Sequence, residues 1–232
     1  MAVVLKNVKS NNYKDIVLNS NKIIGVMSSN YQVFLKSLKG NNVYGIFYED
    51  RFIEKKVYDE LLRYNHSENT NIFIEKIMML LRELELSEKI LNKTINELSH
   101  SEKRLIKYLI MLLVNPSIIV VDEPFLYLDY YEKRVIINLF RKIIKNSKKT
   151  IVIGSNKCDI IYNVCEKVLL LNDNSYVYDD VEKIFSNKNT LDMYNILEPD
   201  IIKFVRLARE KRVYLDYTND IRDLMKEVYK SV

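Results

Sequence analysis

The sequence predicts an α/β fold built on a mostly parallel sheet. Two observations predict it: short, continuous apolar runs of strand length, and amphipathic helical stretches that alternate with them. A third sharpens it, because the run IIVV at 118–121 leads straight into the adjacent acids Asp122 and Glu123. Continuous β-branched runs suit strands covered on both faces, and parallel neighbours need a crossover helix between them. Strands alternating with helices therefore imply a sheet wrapped on both sides.

Taken in order, Ile23 to Met27 reads as a short buried strand, followed by a polar break at Ser28–Asn30 and helical spacing from Phe34 to Lys39. Val43 to Phe47 is a second strand. From Tyr58 to Leu91 the apolar spacing is helical throughout. Ser99 is a helix N-cap with Glu102 three residues on, the pattern of a capping box. That helix runs towards Val114 and stops before Asn115-Pro116, since a residue preceding proline disfavours α geometry. Ile118 to Val121 is a strand and Tyr131 to Lys145 an amphipathic helix. Thr150 to Ile153 is again a strand, Asp159 to Cys165 a helix and Lys167 to Leu171 a strand. Asn172 to Ser175 turns the chain into a hairpin partner at Tyr176–Tyr178. From Val181 to Val232 strand character is lost and short helices are expected.

Composition sets the limits. A chain of 232 residues with 48% hydrophobic side chains can bury a substantial core, enough for one domain with a small appendage. The net charge of +5 is modest, and such an excess usually reflects a solvated face rather than a nucleic-acid or lipid site. Cys158 and Cys165 make no disulfide framework, which points to a reducing compartment, and His66 and His100 are too few for a histidine metal cluster. No leader-like apolar core opens the chain, and no apolar run reaches the roughly 18 residues of a membrane span. The expectation is a soluble or peripheral protein. With only 4 glycines, against about 7% in ordinary chains, a function needing several glycines in one loop is hard to build.

Asp122 and Glu123 fall at the carboxyl end of a central strand, the edge where ligands gather in open α/β sheets. There Asp122 would face Mg²⁺ through a water, and Glu123 would orient or deprotonate an attacking water as general base. The plainer alternative is that Asp-Glu-Pro ends a strand and starts a turn. The helix beginning at Ser99 adds an anion-binding end in register with that strand.

Four segments carry a family resemblance. LSHSEKR, NPSIIVVDEP, FLYLD and TIVIGSNK resemble, in order and without a gap, the signature, Walker B, D-loop and switch-histidine segments of ATP-binding cassette (ABC) proteins. GIFYEDRFIEKKVYDEL at 45–61 is similar to the Q-loop region of the energy-coupling-factor (ECF) subfamily, which supplies vitamins and metal ions to cells. The tail, with Leu197, Pro199 and Arg206-Leu207-Ala208, resembles that subfamily's C-terminal segment. The resemblance implies a P-loop NTPase-like cassette over residues 1–180, a helical signature subdomain at about 58–115, and a helical extension over 181–232. It implies ATP and Mg²⁺ as ligands, a second ABC subunit and an integral membrane component as partners, no nucleic acid, and a peripheral place on the cytoplasmic face of the membrane. It assigns Leu98, Ser99 and Ser101 to the signature, facing a partner's nucleotide. Asp129 becomes the D-loop acid, Asn156 the switch position, and Tyr48 with Glu49 the Q-loop position.

The departures from that pattern point one way. Ser28, Ser29 and Asn30 stand where a glycine-rich loop would let backbone N–H groups close around phosphates, and the segment is several residues short. Lys36 is either a stand-in for the lost lysine or an ordinary surface lysine, and helical register favours the surface. The signature glycines are His100 and Ser101, its glutamine is Glu102, the switch histidine is Asn156 and the Q-loop glutamine is Tyr48. Tyr13 falls slightly off the place of an adenine-stacking aromatic. Each charge-assisted hydrogen bond is worth roughly 1.5–3 kcal/mol, and micromolar binding about 8 kcal/mol. Losing several such bonds should leave this chain's own ATP site weak or empty. The expectation is a degenerate cassette subunit that pairs with an active one. The alternatives are an active homodimeric transport ATPase and a regulatory or scaffolding pseudo-ATPase outside transport.

Overall fold

The computed structural model describes residues 2–5, 16–38, 40, 42–66, 69–173, 175–213, 215 and 221–231, with side chains undescribed at 2–5, 221–223 and 231. Tyr13, Lys39 and Asn174, which entered the sequence reading, lie outside the described residues. The chain divides into two compact units, one of residues 38–151 and one of residues 1–37 with 152–232.

In the 38–151 unit, β4 (Val43–Ile46) pairs in parallel with β5 (Ile118–Asp122), Val43 opposite Ile118 and Ile46 opposite Val121. Thr150, which opens β6 (Thr150–Gly154), donates its N–H to the Ser117 carbonyl at 3.0 Å. The helices here are α2 (Val57–Leu62), α3 (Thr70–Glu83), α4 (His100–Val114) and α5 (Tyr130–Ser147). The single helical stretch expected over 58–91 is therefore broken. Polar residues separate α2 from α3, the Asn69 side chain caps α3 by accepting from the Asn71 N–H, and Glu85 at φ 55° turns the chain away after it. Residues Glu88–Asn92 and Ile95–Glu97 are short 3₁₀ turns. By contrast α4 starts and stops as its sequence dictates. Ser99 and Glu102 form a reciprocal capping box, and Asn115 closes the helix in the left-handed conformation at φ 54°.

In the other unit, β3 (Ile23–Met27) is buried along its whole length and pairs in parallel with β7 (Lys167–Leu171). β8 (Tyr176–Asp180) adds an antiparallel edge to β7, as the hairpin turn predicts. A separate antiparallel pair, β1 (Ala2–Leu5) with β2 (Ile16–Asn19), is not foreseen by the sequence reading. It is tied to β8 through Tyr178, whose hydroxyl donates to the Asn19 side chain and accepts from the Asn19 N–H. The unit also holds α1 (Tyr31–Ser37), α6 (Cys158–Val164), α7 (Val181–Phe185), α8 (Lys188–Met193), α9 (Asp200–Glu210) and α10 (Ile221–Ser231). Val205, Leu215 and Leu224 make a small core of their own under α9 and α10. Parallel pairings in both units, helices between strands and one antiparallel edge make this a mixed, mostly parallel α/β fold. Among the described residues no helix is long and apolar enough to cross a membrane.

Candidate functional site

The turn after β3 is short. Ser28, Ser29 and Asn30 alone separate the strand from α1. Ser28 is buried, and its Oγ accepts the Asn30 N–H at 3.1 Å, so one of the few amides in the turn is spent on the turn itself. Asn30 in turn accepts the Val33 N–H at 3.0 Å as the helix begins. Tyr31 and Leu35 pack inward from α1 against the backbone of Gly154, where an added Cβ would lie 2.4 Å from both Tyr31 Cδ2 and Leu35 Cδ1. Bulky side chains thus occupy the start of the helix, and Lys36 sits exposed in its last turn. Asn156, at the switch position, is exposed in the turn after β6, where Ser155 Oγ accepts the Lys157 N–H.

In the 38–151 unit the two acids are held by their backbone. Asp122 ends β5 and is buried, while Glu123 turns to φ 44°. The buried Arg104 guanidinium donates to the carbonyl of Asp122 at 2.5 Å and to that of Glu123 at 2.9 Å. One turn along α4, the Tyr108 hydroxyl donates to the Pro124 carbonyl at 2.7 Å. Two residues absent from the sequence-based site therefore fix the Asp-Glu-Pro turn. Their i, i+4 spacing, which puts both side chains on one face of the helix, was the available signal.

Asp129 spends its carboxylate as the N-cap of α5, accepting the Glu132 N–H at 2.8 Å, while its own N–H donates to Glu132. The signature residues behave alike. Ser99 Oγ accepts the Glu102 N–H and lies 3.2 Å from Ser101 Oγ, and Glu102 turns back to take the Ser99 N–H at 2.8 Å. Lys93 Nζ reaches the other Glu102 oxygen at 2.6 Å. These contacts, Lys93 first, hold the Glu102 carboxyl below its usual range. The His100 ring stacks on Tyr127, with centroids 4.7 Å apart, and Tyr127 in turn lies 6.1 Å from Tyr48. Tyr48 and Glu49, at the Q-loop position, are both exposed. The rest of that loop is anchored by the buried Glu60, whose Oε2 accepts the N–H groups of Ile53 and Glu54 at 2.8 Å each.

No protein-family model matches the chain. Among solved structures, CbiO1 from Clostridium perfringens, part of the ABC transporter complex CbiONQ, aligns with a TM-score of 0.64 over 88% of this chain and 92% of that one, at 15% identity. The fold is that of an ABC cassette. Among curated proteins, the chain is 28% identical over 166 residues to the energy-coupling factor transporter ATP-binding protein EcfA2 of Acetivibrio thermocellus, covering 70% of this chain and 59% of the relative. It is 26% identical over 188 residues to EcfA3 of Oenococcus oeni, covering 79% of this chain and 65% of the relative. The chain thus matches less than two thirds of the length of each, and it is similar to ECF transporter ATP-binding proteins, the subfamily that its 45–61 segment and tail resemble.

Proposed function

We propose that this chain is the ATP-binding cassette subunit of an ECF-type importer of a micronutrient, a vitamin or a metal ion, and that it serves as the degenerate partner of an active cassette subunit. The observation that carries this reading is the three-residue turn at Ser28–Asn30, followed at once by a helix whose Tyr31 and Leu35 pack against Gly154. A turn this short, with one amide already bonded to Ser28 Oγ, has little backbone left to surround a triphosphate. The names of its relatives support the transport setting.

In this reading residues 1–180 form the nucleotide-binding portion, with its helical part at about 58–115, and 181–232 form an extension. Ser99, Ser101 and the start of α4 face the nucleotide of a second cassette, and Asp129 shapes the seam between the two. Asp122 could hold Mg²⁺ alongside phosphates, which is how that ion is ordinarily bound. Glu123 would act as general base only where a substrate is positioned. The surface from Tyr48 to Leu61 grips an integral membrane component at the cytoplasmic face. Equilibrium titration of the purified chain with a fluorescent ATP analogue tests the reading. Binding weaker than about 100 μM, or about −5.5 kcal/mol, with negligible Mg-ATP turnover, is expected. Micromolar affinity with sustained turnover would replace it with an active homodimeric ATPase.

A further inference from the structure

We propose that one face of α4 clamps the 122–127 turn at three points, and that the outermost, the His100–Tyr127 stack, is a release point whose opening loosens Asp122 and Glu123. His100, Arg104 and Tyr108 are spaced i, i+4 and i+8, so they form one stripe along the helix. Each meets the turn at a different place. Tyr108 donates to the Pro124 carbonyl, Arg104 to the carbonyls of Asp122 and Glu123, and the His100 ring lies on Tyr127 with the two planes 29° apart. The Glu123 carbonyl that Arg104 holds also accepts the Leu126 N–H at 3.1 Å. One residue past Tyr127, the Leu128 N–H donates to the Phe125 carbonyl at 3.2 Å. The turn's own hydrogen bonds therefore bracket Tyr127 and share an oxygen with the helix.

The three contacts differ in what can reach them. Arg104 and Tyr108 are buried, and a hydrogen bond broken there strands a polar group in the interior. His100 is exposed and Tyr127 nearly half exposed, so of the three their stack alone can be parted from outside without opening the core. Tyr127 is also under backbone tension. Its φ of 67° is uncommon for a bulky aromatic and persists where neighbours hold it. Stacking on His100 supplies that hold, while Tyr48, 6.1 Å away and tilted by 41°, is the looser neighbour. Glu123, earlier in the same turn, is left-handed too, at φ 44°. Parting the rings lets the backbone at 127 relax, and the Leu126 bond to the Glu123 carbonyl gives way with it. A group that draws the imidazole off Tyr127, arriving on the start of α4 that faces a second cassette, thus acts on this chain's acids. That last step alone rests on the cassette reading.

Amide hydrogen exchange of the whole protein, resolved by residue, tests the clamp. His100→Ala is expected to speed exchange at Leu126 on the order of tenfold, while the β5 amides of Ile119 to Val121 change less than about twofold. Lys103→Ala, on a neighbouring face of α4, is expected to leave Leu126 within about twofold. Glycine takes a positive φ freely, so Tyr127→Gly removes the ring and the tension together. In that background His100→Ala should add less than about threefold. A tenfold effect of His100→Ala that persists beside Tyr127→Gly, no effect at Leu126, equal acceleration in β5, or the same response to Lys103→Ala would each overturn the proposal. The readout needs no nucleotide. Strong ATP binding at Ser28–Asn30 would remove the degenerate-partner reading and leave the clamp standing, and a null exchange result would do the reverse.

Discussion

Glu60 shows how a single carboxylate can organise a loop. Its side chain is buried, takes two backbone N–H groups from Ile53 and Glu54, and bonds Arg63 Nη1 at 3.0 Å through its other oxygen. Removing such an acceptor strands its donors, whereas an amide keeps one oxygen to offer. Glu60→Ala should therefore cost about 2–4 kcal/mol and Glu60→Gln about 1–2 kcal/mol in urea unfolding, and equal losses for the two would contradict this account. Nothing in the sequence singles out Glu60 from the 31 acidic residues, because its partners are backbone amides of a loop without periodic pattern. Asp122 and Glu123 were legible, since they end an apolar run. The φ of 44° at Glu123 was not, since no glycine or asparagine marks the position. Gly154 was legible only as a strand end. What it admits, the Tyr31 ring and the Leu35 methyl, depends on helix packing that the sequence does not spell out.

Among the elements, α4 has the most to do. Its first turn is set by the Ser99–Glu102 capping box, and its middle secures the 122–124 turn through Arg104 and Tyr108. The Glu102 carboxyl is held below its ordinary value of 4.5, by Lys93 first and then the Ser99 N–H. A depressed carboxyl stabilises the fold above its unfolded value and loses that contribution as pH falls through the lower folded one. The wild-type protein should thus lose more stability than Glu102→Gln between about pH 5 and pH 3, the interval over which a depressed carboxylate is protonated, when unfolding is followed across that range. Separately, Tyr108→Phe leaves the Pro124 carbonyl without its donor in the interior, and should lower stability by about 1–2 kcal/mol. The boundaries of α4 were readable because cap and proline chemistry is local. The break between α2 and α3 was not, because apolar spacing continues across it and only the polar run to Asn69 hints at a restart.

For the whole molecule, the alternation of strands and helices is enough to recover a mostly parallel α/β fold, whereas the β1–β2 pair escapes notice because two four-residue strands carry too little pattern. The unit that contains β3 is assembled from both ends of the chain, residues 1–37 and 152–232. Its first segment cannot find its parallel neighbour β7 until the second is present. A chain ending at residue 151 should accordingly leave β3 unpaired with β7, and is expected to show broad, non-cooperative melting and rapid proteolysis within 1–37. A sharp transition with that segment protected would argue against this dependence. The turn between β3 and α1 also has a lesson for protein engineering. Three residues reach at most about 11 Å when fully stretched, so swapping side chains within Ser28–Asn30 leaves its contour unchanged. An attempt to awaken a nucleotide grip here would have to insert new chain and evict the Tyr31 ring together, which makes reversion by isolated point changes a remote path.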